Sequence, residues 1–456
     1  MSKPRRRSRR KLPESPVELH IDSLSHEGRG IARHEGKVSF VDTALPDEQV
    51  VARYVRSHSQ FDELTLERVL TPSPERVEPQ CEYFGNCGGC SLQHLRSDSQ
   101  ILFKQQILVD LLNHHLNLDC DGIELIPPLQ AEDYFYRRKA RLAVRYVSKK
   151  GGALVGFREK YSTFVTVMNH CDVLEKQLSA LIEPLSGLVN QLNNKQSVPQ
   201  FEVAAGDQNS AGNTSAIVMR HLEELADNDI KLLKAFAIDH DVDFYLQPGG
   251  EESIHKVWPE CGPDRLSYSL PDFDVSLNFH PVDFIQINAA INREMVKLAC
   301  SLLDLAESDC VLDLFCGLGN FSLPMAKLSK HVTAIEGSEK LVNRGRENAL
   351  MNKVRNIDFH VADLYAPNDH IPWLSEKYQK ALIDPPRSGA LEFLPYLKRL
   401  EIKRIVYISC NPVTLARDAA KLKELGYRLE KAGVLDMFPH TAHVESVAVF
   451  CLNKGK

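Results

Sequence analysis

The 456-residue sequence has no uncharged apolar run approaching the ~18 residues a membrane-spanning helix needs. Its opening residues, Met1-Ser2-Lys3-Pro4-Arg5-Arg6-Arg7, lack an apolar core, so a secretory signal is not expected there. The 11 cysteines are odd in number and scattered, which argues against a secreted disulfide framework and predicts a reducing cytoplasm. A third glycine is also missing: after Gly317 and Gly319, a G-x-G-x-x-G dinucleotide fingerprint would place glycine where Ser322 stands. No Lys-Ser/Thr pair follows to make a phosphate-binding loop. These absences set aside membrane-spanning, secreted, nicotinamide-dependent and P-loop classes.

What is present is ordinary soluble composition, 43% apolar and 25% charged. At ~100–200 residues per domain, the length predicts two to four domains. The net charge of −6 is uneven: Lys3, Arg5, Arg6, Arg7, Arg9, Arg10 and Lys11 make the start +7 and leave −13 for the rest. A basic arm on an acidic body suggests a local polyanion contact.

Residues 17–70 alternate like short strands: Val17–Ile21, Lys37–Val41, Gln49–Val55 and Glu63–Leu70, punctuated by Gly28, Gly30, Gly36 and Pro46. This predicts a small OB-like β-barrel. The spacing Gly28-Arg29-Gly30-Ile31-Ala32, Val38-Ser39-Phe40-Val41, Leu45-Pro46-Asp47-Glu48 resembles a TRAM domain, which implies RNA binding. A proline-rich linker, Thr71–Pro79, leads into Cys81-x5-Cys87-x2-Cys90 with two glycines between the last two cysteines. Three thiols so close together predict a metal site. Cys171 is the best fourth ligand, ahead of Cys120, and spacing leaves zinc and iron–sulfur both open.

A helix is expected over 98–118, with Ile101, Leu102, Leu108, Leu111, Leu112 and Leu116 on its packing face. A second basic segment, Phe135–Lys150, carries Arg137, Arg138, Lys139, Arg141, Arg145, Lys149 and Lys150 interleaved with Phe135, Tyr136 and Tyr146. Cations for phosphates and rings for bases suggest a single-stranded RNA surface. Residues 173–270 suggest an α+β region: helices near 173–194 and 228–239, and strands Ser215–Arg220 and Val242–Gln247.

From about residue 285, helix and strand alternate. A helix over 286–305 precedes an apolar strand beginning at Cys310 and the D-x-F-x-G-x-G loop Asp313–Asn320, whose glycines let backbone approach a ligand. The strand His331–Ile335 ends in Glu336, placed for ribose hydroxyls. Ile357–Val361 is followed by Asp363, suited to an adenine amino group, and Lys380–Ile383 ends in Asp384-Pro385-Pro386-Arg387. Together these predict an α/β Rossmann-like domain that binds S-adenosylmethionine. A fifth strand, Ile405–Ile408, runs into Ser409-Cys410-Asn411-Pro412 and presents a thiol at its C-terminal end. A hairpin-like pair, Gly433–Phe438 and Val444–Phe450, closes the sheet and contains Glu445.

A thiol, a carboxylate and a methyl donor together suit methylation of a pyrimidine carbon. C5 of uracil is a weak nucleophile. Thiolate addition to C6 makes the ring an enolate, and a base must later remove the C5 proton. Cys410 and Glu445 fit these roles, and Asp384 can polarise the uracil edge. Free cysteine has a pKa of ~8.5, so the thiol needs a proton acceptor.

Asp313-Leu-Phe-Cys-Gly-Leu-Gly-Asn-Phe321, Ile383-Asp-Pro-Pro-Arg387, Ile408-Ser-Cys-Asn-Pro412 and His443-Val-Glu-Ser446 resemble, in this order, the RNA 5-methyluridine methyltransferases. Asn278–Asn288 is similar to that family's preceding motif. The resemblance implies that Gln286, Phe315, Asn320, Glu336, Asp363 and Asp384 contact S-adenosylmethionine, that Cys410 is the nucleophile and that Glu445 is the base. The barrel plus Cys81, Cys87, Cys90 and Cys171 is similar to the branch acting on 23S rRNA, at the uridine of position 1939, in which those cysteines hold a 4Fe–4S cluster. The partner so implied is an unstacked uridine in an rRNA loop, and a monomer is expected. The resulting division is a basic tail over 1–14, the TRAM barrel over 15–73, a central α+β region over 74–275 and the methyltransferase domain over 276–456. A radical methylthiotransferase would need C-x3-C-x2-C, and an amino-nitrogen methyltransferase an aromatic in place of Arg387. A non-catalytic RNA-binding or redox-sensing protein, or an enzyme acting on another RNA, are the other readings.

Overall fold

The computed structural model describes residues 12–117, 123–207, 214–366 and 371–453. The basic residues Lys3–Lys11 and Cys120 lie outside them. Contacts divide the chain into two units: Met1–Leu102 with His440–His443, and Phe103–Pro439 with Val444–Lys456.

In the first unit, the alternating apolar positions of 17–71 form a six-stranded mixed sheet. Val17–His20 pairs antiparallel with Gln49–Ser57, which pairs antiparallel with Phe61–Thr71. Phe61–Thr71 runs parallel to Lys37–Asp42, which pairs with Gly30–His34, and Ser23–Leu24 closes the order. The last two strands escaped the sequence pattern because they are short and flank glycines. Leu19, Ile21, Ala32, Val41, Val50, Ala52 and Leu64 fill the core. The proline-rich stretch after this sheet is pinned rather than loose. The buried Glu48 carboxylate accepts from Leu45 N–H (2.8 Å), Ser73 N–H (3.2 Å) and the Arg76 guanidinium (2.9 Å). Burial alone would raise its pKa, but these donors hold it below the usual carboxylate range.

The second unit holds two large sheets over one continuous core. The smaller runs His255–Trp258, Asp243–Gln247, Ser215–Arg220, Gln200–Ala205, Lys139–Val147, Gly152–Gly156. The larger has eight strands in the order Ile357–Val361, His331–Glu336, Cys310–Leu314, Lys380–Ile383, Arg404–Ser409, Glu445–Leu452, Tyr427–Leu435, Glu124–Leu125. Its first five strands are parallel; Glu445–Leu452 is antiparallel to both neighbours. Strand order reverses between Cys310–Leu314 and Lys380–Ile383, where an open α/β sheet leaves a crevice at its C-terminal edge. Val218, Tyr245, Leu277 and Phe279 share one core with Met295, Val311, Leu382 and Val406.

Three local expectations are corrected. The helix near 173–194 is two pieces, Lys176–Ser179 and Ile182–Gln191. The strand expected over Gly433–Phe438 is Tyr427–Leu435, because its pairing with Glu445–Leu452 ends at Leu435. On the helix Ser97–Leu116, Ile101, Leu108, Leu112 and Leu116 are buried, but Leu102 is 60% exposed and Lys104 lies inside instead. Lys104 Nζ donates to Asp436 Oδ1 (2.7 Å) and to the Phe438 carbonyl (2.9 Å). Burial lowers the Lys104 pKa, and Asp436 opposes that shift.

Because one partner of a buried pair cannot be removed without stranding the other, Lys104→Met should cost about 3–5 kcal/mol. Lys104→Met combined with Asp436→Leu should recover most of it. Urea denaturation midpoints of the two variants check this.

Candidate active site

Cys410 sits where the buried strand Arg404–Ser409 meets the helix Pro412–Glu424. Asn411 caps that helix, accepting from Val413 N–H (3.2 Å). Its side-chain amide donates to the Arg387 carbonyl (3.0 Å), and Arg417 Nη2 donates to the Ser388 carbonyl (2.8 Å). The Asp384–Gly389 loop is thus tied to the helix that follows the thiol. Asp418, buried beneath, accepts from Tyr407 Oη (2.6 Å) and Ala390 N–H (2.7 Å).

Ser409 is paired with Ser446 in the antiparallel ladder. One further step of that register sets Cys410 opposite Glu445. Directly opposed residues lie roughly 4.5–5.5 Å apart at Cα and share a face of the sheet. Asp384 ends the neighbouring strand, whose Ile383 is paired with Tyr407, and its N–H donates to the Leu314 carbonyl (3.2 Å). The thiol and both carboxylates therefore meet at one sheet edge, where the carboxylates act on the thiol. Burial, then the charges of Glu445 and Asp384, push Cys410 up to about 11, with Arg387 opposing. Burial, then Asp384, push Glu445 well above the carboxylate range. Burial lifts Asp384 to about 7.

Beside this cluster is the glycine turn. Phe315 adopts φ +64°, uncommon for a bulky residue, as do Gly317 at +56° and Gly319 at +98°. The space above Gly317 is open: a Cβ there would meet nothing within 4 Å. Gly317 N–H and Ser338 N–H donate to Glu336 at 3.2 and 2.9 Å, so the carboxylate is held beside the turn. Asn320 exchanges hydrogen bonds with Asn292 (2.9 and 3.0 Å) and accepts from Tyr268 Oη (2.9 Å). Asp363 is exposed at the end of its strand, and Phe315 packs against Tyr365 with ring centres 5.8 Å apart. Gln286 is half-buried in the irregular stretch before the helix Ala289–Leu303. Open space over a positive-φ glycine, flanked by a ring and by strand-end carboxylates, fits a nucleoside-bearing cofactor.

Asp313 was not singled out from the sequence. It is fully buried one strand in from Asp384 and accepts from Ser322 Oγ, while its Oδ1 is buried without a partner. Burial first, then Asp384 and Glu336, raise it to about 8 against the Ser322 bond. The available signal was an acid inside the apolar run Val311-Leu312-Asp313-Leu314.

The basic segment divides in two. Arg138 is buried and paired with Asp207 (2.7 Å), and Lys139 with Glu202 (3.1 Å). Tyr136 is buried and donates to the Pro439 carbonyl (3.1 Å). These three are structural, a correction to the single RNA surface expected. Arg141, Arg145, Lys149 and Lys150 are exposed. In the first unit, Cys81, Cys87 and Cys90 lie in tight turns, with Cys87 N–H donating to the Tyr83 carbonyl (2.9 Å) and Gly89 N–H to Cys87 Sγ (3.4 Å). Cys171 is buried in the second unit. Among the described residues no group of three or more His, Cys, Asp or Glu forms a ready metal cage. Soft thiolate donors with an N–H directed at sulfur nevertheless suit a soft metal. No helix of the described residues is long and apolar enough to cross a membrane.

The raised thiol predicts slow alkylation of Cys410 at neutral pH in the ligand-free enzyme. The rate should climb past the ordinary ~8.5 toward about 11. Since a neighbouring negative charge disfavours thiolate, Glu445→Gln should lower that midpoint. Mass spectrometry of the Cys410 peptide after iodoacetamide pulses across pH measures both.

A family model described as tRNA (Uracil-5-)-methyltransferase matches residues 264–367 and 368–454. The chain is 47% identical over 449 residues to the 23S rRNA (uracil(1939)-C(5))-methyltransferase RlmD of Hahella chejuensis, covering 97% of this chain and 99% of that protein. It is 48% identical over 445 residues to the protein of that name from Alkalilimnicola ehrlichii, covering 97% and 98%. Its fold resembles the Pyrococcus abyssi tRNA (uracil-54, C5)-methyltransferase in complex with S-adenosyl-L-homocysteine, at TM-score 0.72 and 24% identity over 95% of this chain and 99% of that one. With such identity over nearly its full length, the chain belongs to the family of the 23S rRNA (uracil(1939)-C(5))-methyltransferases RlmD.

Proposed function

We propose that the chain transfers a methyl group from S-adenosylmethionine to C5 of one uridine of 23S rRNA, the uridine at position 1939 named for its relatives. The observation that carries the reading is the ladder ending in Ser409 paired with Ser446, whose next step would bring Cys410 opposite Glu445, with Asp384 after the neighbouring strand. Phe315, Asn320, Glu336, Asp363, Asp384 and Gln286 are the residues we assign to the cofactor, which when bound supplies an electrophilic methyl group.

Chemistry at the thiol begins with loss of its proton. Asp384, at the same sheet edge and lifted by burial, is the acceptor we assign. The Cys410 sulfur bonds to C6 of uracil, and the C5=C6 electron pair moves to the O4 enolate. C5 then takes the methyl group, and a carbon–carbon bond replaces the methyl–sulfur bond. Glu445 removes the C5 proton, the C5=C6 bond re-forms, and the C6–sulfur bond breaks to release thiolate. A buried Glu445 with a raised pKa is a stronger base once ionised than an exposed carboxylate would be.

The six-stranded sheet of the first unit is assigned as a TRAM barrel for RNA, and the sequence 1–14 as a basic arm. Cys81, Cys87, Cys90 and Cys171 are the residues that would hold a 4Fe–4S cluster, to which no catalytic step is attributed. The sequence spacing and the thiolate donor type support that assignment. Iron and sulfide analysis of anaerobically purified protein distinguishes it from zinc. The assignment of domains at 15–73, 74–275 and 276–456, a monomeric state and a cytoplasmic location belong to the same proposal.

Methyl transfer to a 23S rRNA fragment containing the target uridine, against a tRNA arm as control, tests the reading. Cys410→Ala should abolish turnover on the rRNA fragment. Glu445→Gln should accumulate a protein–RNA adduct that survives a denaturing gel. Full turnover in Cys410→Ala would overturn the mechanism, and preference for the tRNA arm would overturn the substrate.

A further inference from the structure

We infer that the hairpin Phe157–Thr166, together with the outer face of the strand Lys139–Val147, is a docking surface for single-stranded RNA, with Tyr161 and Phe164 as base-stacking platforms. It rests on the reading that the chain acts on an RNA uridine, and it names where that RNA is held.

The hairpin is well built. Glu159 N–H donates to the Phe164 carbonyl (3.0 Å), Thr166 N–H to the Phe157 carbonyl (2.9 Å), and Arg158 Nη1 to the Thr163 carbonyl (2.7 Å). Val165 is buried and anchors it, yet Tyr161 is 63% exposed and Phe164 69%. Two large rings so exposed on an ordered hairpin forgo burial that either could have found in a core. Tyr161 also stands at φ +56°. A turn needing only that backbone would take Gly or Asn there, because a bulky side chain is strained in the left-handed region. The strain is therefore tolerated in order to carry a ring at the tip.

The surroundings supply charge and direction. Along Lys139–Val147, Ala140, Leu142 and Val144 are buried, while Arg145 and Arg141 are exposed, Arg141 leaning on Glu202 of the next strand (3.3 Å); Lys149 and Lys150 follow at its end. Gly156 is in register with Ala143, midway along that strand, and the hairpin chain continues from there in the direction of the end where the strand begins. At that end Lys139 Nζ donates to the Asp283 carbonyl (2.7 Å) and Arg138 N–H to the Ile287 carbonyl (2.9 Å), flanking Gln286. Exposed rings and guanidinium groups are therefore carried by neighbouring segments of one sheet. Duplex RNA offers no base faces to stack on, whereas a splayed single strand offers both bases and phosphates.

The test uses the full chain and the same rRNA fragment, with binding read separately from turnover. Tyr161→Ala with Phe164→Ala should raise Kd about fivefold or more, leave the salt slope unchanged, and raise KM with kcat retained at saturating RNA. Phe164→Trp should keep parental affinity. Arg141→Ala with Arg145→Ala should instead flatten the dependence of log Kd on log salt, by about 0.7 for each phosphate no longer neutralised. Tyr161 and Phe164 are exposed, so the melting temperature of the double aromatic variant should match the parent. Parental Kd in the double aromatic variant would overturn the proposal. So would a loss seen only on assembled ribosomal particles with naked-RNA binding intact, which would make the hairpin a protein contact. Because Kd does not depend on turnover, failure of the methylation reading would leave this comparison standing.

Discussion

The candidate site depends on one antiparallel insertion. The strand Glu445–Leu452 enters the parallel sheet between Arg404–Ser409 and Tyr427–Leu435 and is laddered to both. Val447, Ala448, Val449 and Phe450 are buried, so both of its faces are packed. The same register brings a residue 35 positions downstream of Cys410 directly across from it. Core packing, which exists for stability, thereby fixes the spacing between the sulfur and the carboxylate.

Burial sets the chemistry of what is brought together. Three acids and a thiol at one sheet edge cannot all ionise cheaply, and Cys410, Asp384, Glu445 and Asp313 are all raised. In the ligand-free state this favours a neutral thiol, which protects a nucleophile from wasteful alkylation. It also moves both acids toward proton transfer: burial lifts Asp384 to about 7 and holds Glu445 well above the usual carboxylate range. The linkage sign for Asp313 follows from the same burial. Its folded pKa near 8 exceeds the unfolded value, so the native state binds the extra proton, and stability from this group declines as pH rises through that range.

The catalytic half was legible in the sequence because its strands end in polar residues: the buried Lys380–Ile383 and the alternating edge strand Ile357–Val361 stand out at their observed limits, while the strand from Cys310 runs on to Leu314, past the Asp313 at which the glycine loop was expected to begin. Gln200–Ala205 was not, since it lacks the alternation that separates a half-buried strand from its surroundings; Leu266–Leu270 and Val275–Phe279 do alternate on either side of Pro271 and were missed all the same. The pairing of Arg138 with Asp207 and of Lys104 with Asp436 was invisible for a different reason. Each acid comes from a distant part of the chain, so composition shows only an unexplained cation. The same blindness made Phe135–Lys150 look like one RNA surface when part of it is an internal ion-pair network.

The central claim is that Glu445 takes the C5 proton after Cys410 has bonded to C6. The most direct measurement is tritium release from an rRNA fragment carrying 5-tritiated uridine at the target position. The native chain should release one tritium to water for each methyl group transferred, and Glu445→Gln should retain the tritium in a methylated protein–RNA adduct. Release from Glu445→Gln at the native rate would contradict the account.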